Sequence, residues 1–443
     1  MEQTNILGSM PVGRLVVHMS WPIMLSMLVQ AVYNLVDSVF VAQISDQAFL
    51  ALSYAYPIQT LMIAFCSGFG VAFSAMLSKR LGRADLPAAN RSVLHGFLFF
   101  AGNWILFFLF GALAAPLYLQ ACTDSSAVVQ MGTDYLRVCC CCSIGMCMQF
   151  PMERILQSTG HPTGFMIIQG SGAVINLILD PILIFGLDMG VTGAAVATVI
   201  GQITGALIGV FLVRRVRNQL PISFRRFHIQ RDLAAEFVQI AAPAVLMQSL
   251  ASFMSLGLNA ILSLWSETAV WVLGVYFKLQ SFVFMPVFSI NNGLVSILSY
   301  NYGAAQRTRI IQGIRFGLQV ALTTALVGTV LLWLGAIPLL HCFQAPVPAM
   351  SMGVPALRMT ALAFPVASVS IILSAAFQSL GYSRYSLSVS LLRYVVVLLP
   401  AALILVRWIP DLTFLSFLVA ELATVLIAAL LYRKVFREKI QQI

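Results

Sequence analysis

The chain has 443 residues, of which 60% are hydrophobic and only 9% are charged, and its mean hydropathy is +0.92. A soluble domain carries about 25% charged residues, so this composition excludes an ordinary soluble protein and indicates an integral membrane protein. The net charge of +10 comes from basic residues in short loops between apolar segments. Such a distribution is a topology signal and does not indicate a nucleic-acid surface.

Apolar segments of about 20 residues recur along the whole chain, and each is long enough to cross a bilayer as a helix. A membrane barrel would instead show short strands of alternating polarity, which the sequence lacks. We therefore predict an all-α polytopic protein with twelve membrane helices. They occupy residues 14–40, 51–78, 92–118, 130–156, 163–186, 192–213, 235–263, 269–300, 310–338, 348–379, 386–408 and 412–432.

Basic and acidic residues alternate from one loop to the next. Arg80, Arg215 and Arg433 lie on one side of the predicted helices, whereas Asp188 and Glu267 lie on the other. Because basic loops stay in the cytoplasm, both termini are expected to be cytosolic. The segment that precedes the first helix lacks the pattern of a cleavable signal peptide, so we expect the first helix to direct insertion into the cytoplasmic (inner) membrane of a prokaryotic cell.

The two halves of the chain match each other when the sequence is shifted by about half its length. At a single offset, Pro22 meets Pro243, Gln59 meets Gln280, and `QSTG` at 157–160 meets `QSLG` at 378–381. This repeat predicts two pseudo-symmetric six-helix bundles around a central cleft. The predicted lobes are residues 1–213 and 235–443, joined by the arginine-rich cytosolic loop 214–234. Parallel repeats of this kind are typical of alternating-access transporters, although a duplicated scaffold without transport stays open.

A group of polar residues lies within the apolar segments of the first half. Asp37 is on the first predicted helix, Asn176 and Asp180 are one turn apart on the fifth, and Thr198 is on the sixth. A rise of ~1.5 Å per residue places Asp37, Asp180 and Thr198 in one layer near the outer boundary. A charge inside the membrane usually has a partner or a function. These oxygens suit a proton or a hard monovalent cation, so the four residues are candidates for a cation-coupling site.

Two alternatives to this cation site stay open. Asp37 and Asp180 could merely bond to helix ends, and Arg137 on the fourth helix could pair with either carboxylate. The second half has no acidic counterparts, because the offset of the repeat maps Asp37 to Leu258 and Asp180 to Ala401. We therefore expect cation coupling in the first lobe only.

Other polar and aromatic side chains within the predicted helices are candidates to line a substrate cleft. They are Gln30, Tyr33, Asn34, Gln59, Gln248, Lys278 and Gln280. By helix position Lys278 and Arg393 are both expected to be buried, and Lys278 could either compete with substrate or extend to the interface. The run of four cysteines at 139–142 does not predict a metal site, because consecutive helical residues point in different directions.

With these helices, the segments `WPIMLSMLVQAVYNLVDSVFVAQIS`, `ERILQSTGHP` and `NLILDPILIFGLDMGVTGAAVAT` make the chain resemble the multidrug and toxic compound extrusion (MATE) family. The resemblance covers essentially the whole chain. It implies export of cationic or amphipathic compounds in exchange for H⁺ or Na⁺. It also implies that Asp37, Asn176, Asp180 and Thr198 form the cation site of the DinF-like branch and that the first helix bends at Pro22. The NorM-like branch uses acids on the seventh and tenth helices, which this sequence lacks.

The expected function is therefore secondary active antiport of organic compounds, without enzymatic activity. The alternative is a flippase for lipid-linked oligosaccharides or related amphiphiles, which the same superfamily includes. We expect no cofactor other than H⁺ or Na⁺ as the coupling ion, and no metal beyond a Na⁺ at the cation-coupling site. The expected partners are small-molecule substrates and the lipid bilayer, with no nucleic acid and a monomeric state.

Overall fold

The structure is a computed structural model that describes residues 5–223, 229–343 and 345–442. It is 90% helical, and no strand occurs in these ranges. A one-turn helix, Ile6–Ser9, precedes twelve longer helical segments. These are α1 Val12–Ile44, α2 Asp46–Gly82, α3 Leu86–Cys122, α4 Ser126–Cys141 with Ile144–Ser158, α5 Pro162–Gly186, α6 Gly190–Arg215, α7 Arg231–Ser263, α8 Glu267–Gly303, α9 Arg307–Cys342, α10 Val347–Ala361 with Ala363–Ser379, α11 Ser383–Trp408 and α12 Pro410–Ile440.

Ten of these helices are long and apolar enough to span a membrane, and α10 makes eleven if its two halves, bent by 40°, count as one span. The remaining predicted span is α4, which breaks between Cys141 and Ile144 into two pieces too short to span a membrane separately. It also carries four charged residues, Asp134, Arg137, Glu153 and Arg154. The all-helical, multi-span architecture predicted from the sequence is confirmed.

The helix limits repeat between the two halves of the chain. The α2 helix, Asp46–Gly82, and the α8 helix, Glu267–Gly303, have the same length and begin at residues that the sequence repeat aligns with each other. Each is preceded by a serine whose side chain accepts a hydrogen bond from the backbone three residues later, Ser45 at 3.0 Å and Ser266 at 3.1 Å. A serine there satisfies one of the free N–H groups at a helix start, so equivalent residues begin both helices.

The described chain forms two compact units. The first contains Pro22–Ala241 and the one-turn N-terminal helix, and the second contains Met10–Trp21 and Ala242–Ile443. Within the second unit, Arg309 donates to the Met10 carbonyl at 2.7 Å, which ties the start of α1 to α9. The predicted lobe limits at 213 and 235 stay a prediction, and residues 224–228 of the loop between them lie outside the described residues.

Pro22 lies where α1 passes from the second unit to the first. The helix continues through it without a break from Val12 to Ile44. Proline has no N–H for the helical hydrogen bond and weakens the turn that precedes it. The Ser26 hydroxyl donates to the Pro22 carbonyl at 2.8 Å, next to this weakened turn. Whether the helix bends at Pro22 stays a prediction.

Aromatic side chains pack against one another in the core of each unit. In the first unit, Phe99 and Phe237 stack with ring centroids 4.3 Å apart, and the Phe73 and Phe100 rings meet edge to face. In the second unit, Phe284 packs edge to face on Phe364, with centroids 5.1 Å apart. Such pairs stabilise the packing of helices beyond the area that they bury.

Candidate functional site

The candidate cation site depends on a close approach of α5 and α6. A methyl group added at Gly201 of α6 would lie only 2.6 Å from the Gly172 carbonyl oxygen of α5 and 3.4 Å from the Asn176 side chain. Small residues let two membrane helices approach to backbone contact. Because Gly172 and Gly201 have no side chains, Asn176 on α5 comes within reach of Thr198 on α6.

Asn176 links Asp180 and Thr198 by hydrogen bonds. In the orientation of its amide that satisfies every group, the nitrogen lies 3.1 Å from Asp180 Oδ2. Its oxygen then accepts from the Thr198 backbone N–H at 3.1 Å and from the Thr198 hydroxyl at 3.2 Å. Asn176 and Asp180 are both buried, with exposed fractions of 3% and 0%. The structure therefore brings these three predicted residues together, while their role stays a prediction.

Asp37 on α1 lies close enough to Asp180 for the two carboxylates to repel each other. Its Oδ1 is enclosed by protein and has no hydrogen-bond partner. The ion pairs among the described residues join Glu236 to Lys79 and Arg80, Arg393 to Glu421, and Lys434 to Glu438. None of them involves Asp37 or Asp180. Arg137, the competing partner considered above, is exposed.

This arrangement has the chemistry of a small-cation site. Two carboxylates, an amide oxygen and a hydroxyl are oxygen donors of the kind that hard cations prefer. A buried carboxylate oxygen without a hydrogen bond is unfavourable unless a proton or cation neutralises it. A bound positive charge would also relieve the repulsion between Asp37 and Asp180.

The predicted cleft residues of the first unit fall into two groups. Gln30 on α1 accepts a hydrogen bond from Gln169 Nε2 on α5 at 3.2 Å. The Tyr33 hydroxyl lies beside Gln30, within electrostatic range of the Asp37 and Asp180 carboxylates. Gln59 on α2 donates to the Tyr135 hydroxyl at 2.7 Å, and Asn34 is exposed at the surface of the unit. Gln30 and Tyr33 therefore adjoin the candidate cation site, whereas Gln59 lies against α4.

Two predicted cleft residues of the second unit are exposed. Gln248 on α7 lies at the surface of the unit. Lys278 on α8 is also exposed, with its Nζ 5.7 Å from the centre of the Phe343 ring, so the prediction that it is buried is wrong. Depth along a helix can be estimated from the sequence, but the direction in which the side chain points depends on how the helices pack.

Gln280 lines a cavity of about 320 Å³ in the second unit, together with Arg393 on α11 and Glu421 on α12. Arg393 Nε lies 3.0 Å from Glu421 Oε1, so this buried arginine is neutralised by a carboxylate. The sequence interpretation left Glu421 without a role, because pairing between α11 and α12 depends on their packing. A basic cleft for pyrophosphate needs free positive charge, so this ion pair disfavours the flippase alternative.

From the sequence we expect Glu153 and Arg154, near the inner end of the fourth predicted helix, either to close a gate or to pair with each other. They do not pair, and the gate stays a prediction. Glu153 is 1% exposed and accepts from Gln149 at 2.8 Å, whereas Arg154 is 6% exposed and donates to Gln157 at 2.9 Å. No ion pair between Glu153 and Arg154 occurs in the described part of the chain. They are neighbours in the chain on one helix, so their side chains diverge.

Nothing in the described ranges groups three or more histidine, cysteine or acidic side chains as a metal site would. Three of the four consecutive cysteines end the first half of α4, and Cys142 lies in the break that follows. Cys139 and Cys140 are buried there, and Cys142 is exposed. Their thiols thus lie in different surroundings.

The repeated sequence is decisive for the family. The profile of the MatE family matches the chain twice, at residues 22–182 and 243–404, and the two matches start at the prolines that the repeat aligns. The chain belongs to the MatE family. Its members are transporters rather than enzymes, so this protein is a multi-span membrane transporter of small molecules.

Known relatives support this assignment across the chain. The chain is 25% identical to the multidrug export protein MepA of Staphylococcus aureus (strain NCTC 8325 / PS 47) over 316 residues, which cover 68% of this chain and 67% of MepA. A MATE crystal structure in complex with MaL6 has a TM-score of 0.93 at 21% identity and covers 100% of both chains.

A second structural neighbour also shares this fold. It is a MOP superfamily transporter from Pyrococcus furiosus Vc1 (DSM3638), with a TM-score of 0.91 at 21% identity over 98% of this chain and 97% of that one. The reverse polarity of its binding pocket suggests a different function for that protein. Function must therefore be argued from the side chains of the site.

Proposed function

We propose that this protein is a secondary active antiporter that exports organic cationic or amphipathic compounds from the cell in exchange for H⁺ or Na⁺. The export of drugs by the MepA relatives favours organic compounds as substrates. The observation on which the coupling mechanism rests is the enclosed cluster of Asp37, Asn176, Asp180 and Thr198 in the first unit.

The coupling ion enters this cluster from outside the cell. It neutralises Asp37 and Asp180, which otherwise repel each other, and takes the enclosed Asp37 Oδ1 as a ligand. The membrane potential supplies about 2.3 kcal/mol for each charge that crosses 100 mV. The coupling ion therefore releases free energy as it moves inward down its gradient. This free energy is available to drive substrate outward.

Pro22 connects the cluster to the rest of the transport cycle in this proposal. Asp37 and Pro22 lie on the same helix, and Pro22 lies at the turn that lacks a full set of hydrogen bonds. Neutralising Asp37 lets the outer part of α1 move toward Asp180, and the helix bends at Pro22. Among the branches of the family we assign the chain to the DinF-like one, with a monomer as the functional unit, both termini in the cytosol and the protein in the cell membrane.

The experiment is gradient-driven dye transport, measured as uptake into inverted vesicles or as efflux from proteoliposomes, with sodium and pH gradients imposed separately. We expect one of the two gradients to drive efflux of ethidium in the wild type and Asp37→Asn to reduce this efflux at least tenfold. Asp134→Asn is the matched control, because Asp134 lies in the same unit and accepts a hydrogen bond from Gln130 at 2.9 Å at an exposed position. Gradient-driven efflux that Asp37→Asn leaves unchanged would refute the role of the cluster.

A further inference from the structure

Arg358 on α10 and Trp333 on α9 hold each other by two reciprocal hydrogen bonds at the surface of the second unit. The Trp333 Nε1–H donates to the Arg358 carbonyl at 3.2 Å, and the Arg358 Nε–H donates to the Trp333 carbonyl at 3.3 Å. The Arg358 Cζ atom lies 5.2 Å from the centre of the Trp333 ring, a distance at which an aromatic ring attracts a cation. Together these contacts orient the guanidinium.

The same contacts leave the far edge of the guanidinium without a protein partner. The Nε atom is taken by the Trp333 carbonyl, whereas Nη1 and Nη2 have no acceptor in the described part of the chain. None of the ion pairs found there involves Arg358. Both hydrogen bonds to Trp333 lie at an exposed position, so a molecule at the surface can reach this edge. Two parallel N–H groups match two oxygens of a phosphate.

The surface around this arginine is apolar. Beside Trp333 on α9, Val330 is 54% exposed and Leu334 is 75% exposed, and one turn beyond Arg358 on α10, Leu362 is 44% exposed. Both helices belong to membrane spans, so these side chains meet the acyl chains of lipids. A positive charge on such a surface is costly unless it reaches the interface or meets a negative group.

The position along α9 puts the pair near the edge of the hydrocarbon core. The helix has 36 residues and is about 54 Å long, so when centred it extends about 12 Å beyond each side of a ~30 Å core. Trp333 precedes the last residue, Cys342, by nine residues, which is about 14 Å. The phosphate groups of the lipids begin at this depth, and tryptophan is enriched there.

We propose that Arg358 and Trp333 form a binding site for an anionic phospholipid such as phosphatidylglycerol. Nη1 and Nη2 donate to two phosphate oxygens, and the acyl chains lie along Val330 and Leu334. A zwitterionic lipid binds less well, because the ammonium of its own headgroup competes with Arg358 for the phosphate. This inference goes beyond the proposed function, since it depends neither on the transported compound nor on the coupling ion.

The test uses the fluorescence of Trp333, which brominated lipids quench on contact. The full-length protein is placed in nanodiscs of phosphatidylcholine that contain a minor fraction of brominated phosphatidylglycerol or, separately, of brominated phosphatidylcholine. Each protein is measured with and without Trp333→Phe, and the difference isolates the signal of Trp333 from that of the other tryptophans. The two quenching curves give the relative association constant of the two lipids at this position.

We expect the wild type to prefer phosphatidylglycerol about fivefold, which corresponds to about 1 kcal/mol, the upper end for an exposed ion pair. Arg358→Gln should reduce the preference to about one. Arg358→Lys keeps the charge but loses the two-pronged edge and the Nε bond to Trp333, so it should recover less than half of the lost free energy. Arg407→Gln is the matched control and should keep the wild-type preference, because Arg407 is an exposed arginine of the same unit at the end of α11.

A further arm separates a lipid phosphate from a soluble one. Inorganic phosphate that replaces chloride at constant ionic strength should leave the preference unchanged, whereas its loss would assign the site to free phosphate and overturn the lipid proposal. Equal association of both lipids with the wild type would also overturn it, even if Arg358→Gln does not fold. A full wild-type preference in Arg358→Gln, or an equal loss in Arg407→Gln, would show that the preference does not come from this arginine.

Discussion

Asp37 on α1 and Asp180 on α5 lie within electrostatic range of each other in one unit, and neither is paired with an arginine or lysine among the described residues. Carboxylates inside a membrane protein usually have a basic partner or a functional role. Here Asp180 is held by the Asn176 amide, and Asp37 keeps one enclosed oxygen without a hydrogen bond. We propose that a proton or a sodium ion between them completes the site.

The Thr198 hydroxyl can be tested by an isosteric change. Thr198→Val keeps the shape of the side chain and removes the hydroxyl that bonds to Asn176 at 3.2 Å. A lost hydrogen bond of about 0.5–1.5 kcal/mol should raise the coupling-ion concentration for half-maximal efflux roughly two- to tenfold. Titration of dye efflux against the coupling ion measures this shift.

Thr204 on the same helix is the matched control. Its hydroxyl donates to the Ile200 carbonyl at 2.8 Å at an exposed position, beyond the site along α6. Thr204→Val should leave the ion dependence unchanged. Equal shifts in both variants would indicate a general effect on α6, and no shift in Thr198→Val would remove Thr198 from the site.

The backbone contact of α5 and α6 predicts a sharp difference between two glycines. Gly201→Ala places a methyl group 2.6 Å from the Gly172 carbonyl oxygen, so the helices must separate beside Asn176. Overpacking of this kind costs about 1–3 kcal/mol and should lower the Tm of the purified protein. It should also weaken ion coupling, because Thr198 moves away from Asn176.

Gly170→Ala on α5 controls for the helical propensity of alanine. An added methyl there meets nothing within 4 Å, so the Tm should be unchanged or slightly higher. A drop in Tm for Gly170→Ala as large as that for Gly201→Ala would contradict this account of the helix contact.

The Arg393–Glu421 pair predicts a non-additive effect on stability. Arg393→Met leaves Glu421 as a buried charge without its partner, which costs about 3–5 kcal/mol. The double variant Arg393→Met/Glu421→Met replaces both charges with apolar groups and should be more stable than Arg393→Met alone. Thermal unfolding in detergent ranks the variants.

Lys434 gives the control for this ion pair. It lies 3.9 Å from Glu438, with 58% of the lysine side chain and 43% of the glutamate side chain exposed. Exposed pairs contribute little, so Lys434→Met should leave the Tm unchanged. If Arg393→Met is as stable as the wild type, the pair in α11 and α12 does not have the buried character described here.

The sequence predicted the architecture because hydropathy and the internal repeat need no knowledge of packing. It missed the break in α4 between Cys141 and Ile144, because the point at which a helix breaks depends on how it packs against its neighbours. The approach of Asn176, Asp180 and Thr198 was predictable from helix spacing and depth. Their function stays a prediction.

Side-chain direction was the part that sequence could not provide. Lys278 and Arg393 looked equivalent as basic residues in apolar segments, yet Lys278 is exposed and Arg393 is buried against Glu421. The difference lies in which face of each helix packs against its neighbours. The sequence does place two opposite charges, Arg393 and Glu421, in consecutive apolar helices. It does not show that their side chains meet.

The most direct test of the central claim is ion movement driven by substrate in proteoliposomes, with radioactive sodium uptake and internal pH followed in the same preparation. The account predicts that an outward substrate gradient drives one of these ions inward through the wild type and through Asp134→Asn. Asp37→Asn and Asp180→Asn should each lose this coupled flux at least tenfold. Full substrate-driven ion flux through Asp37→Asn would contradict the claim that the two carboxylates share the coupling ion.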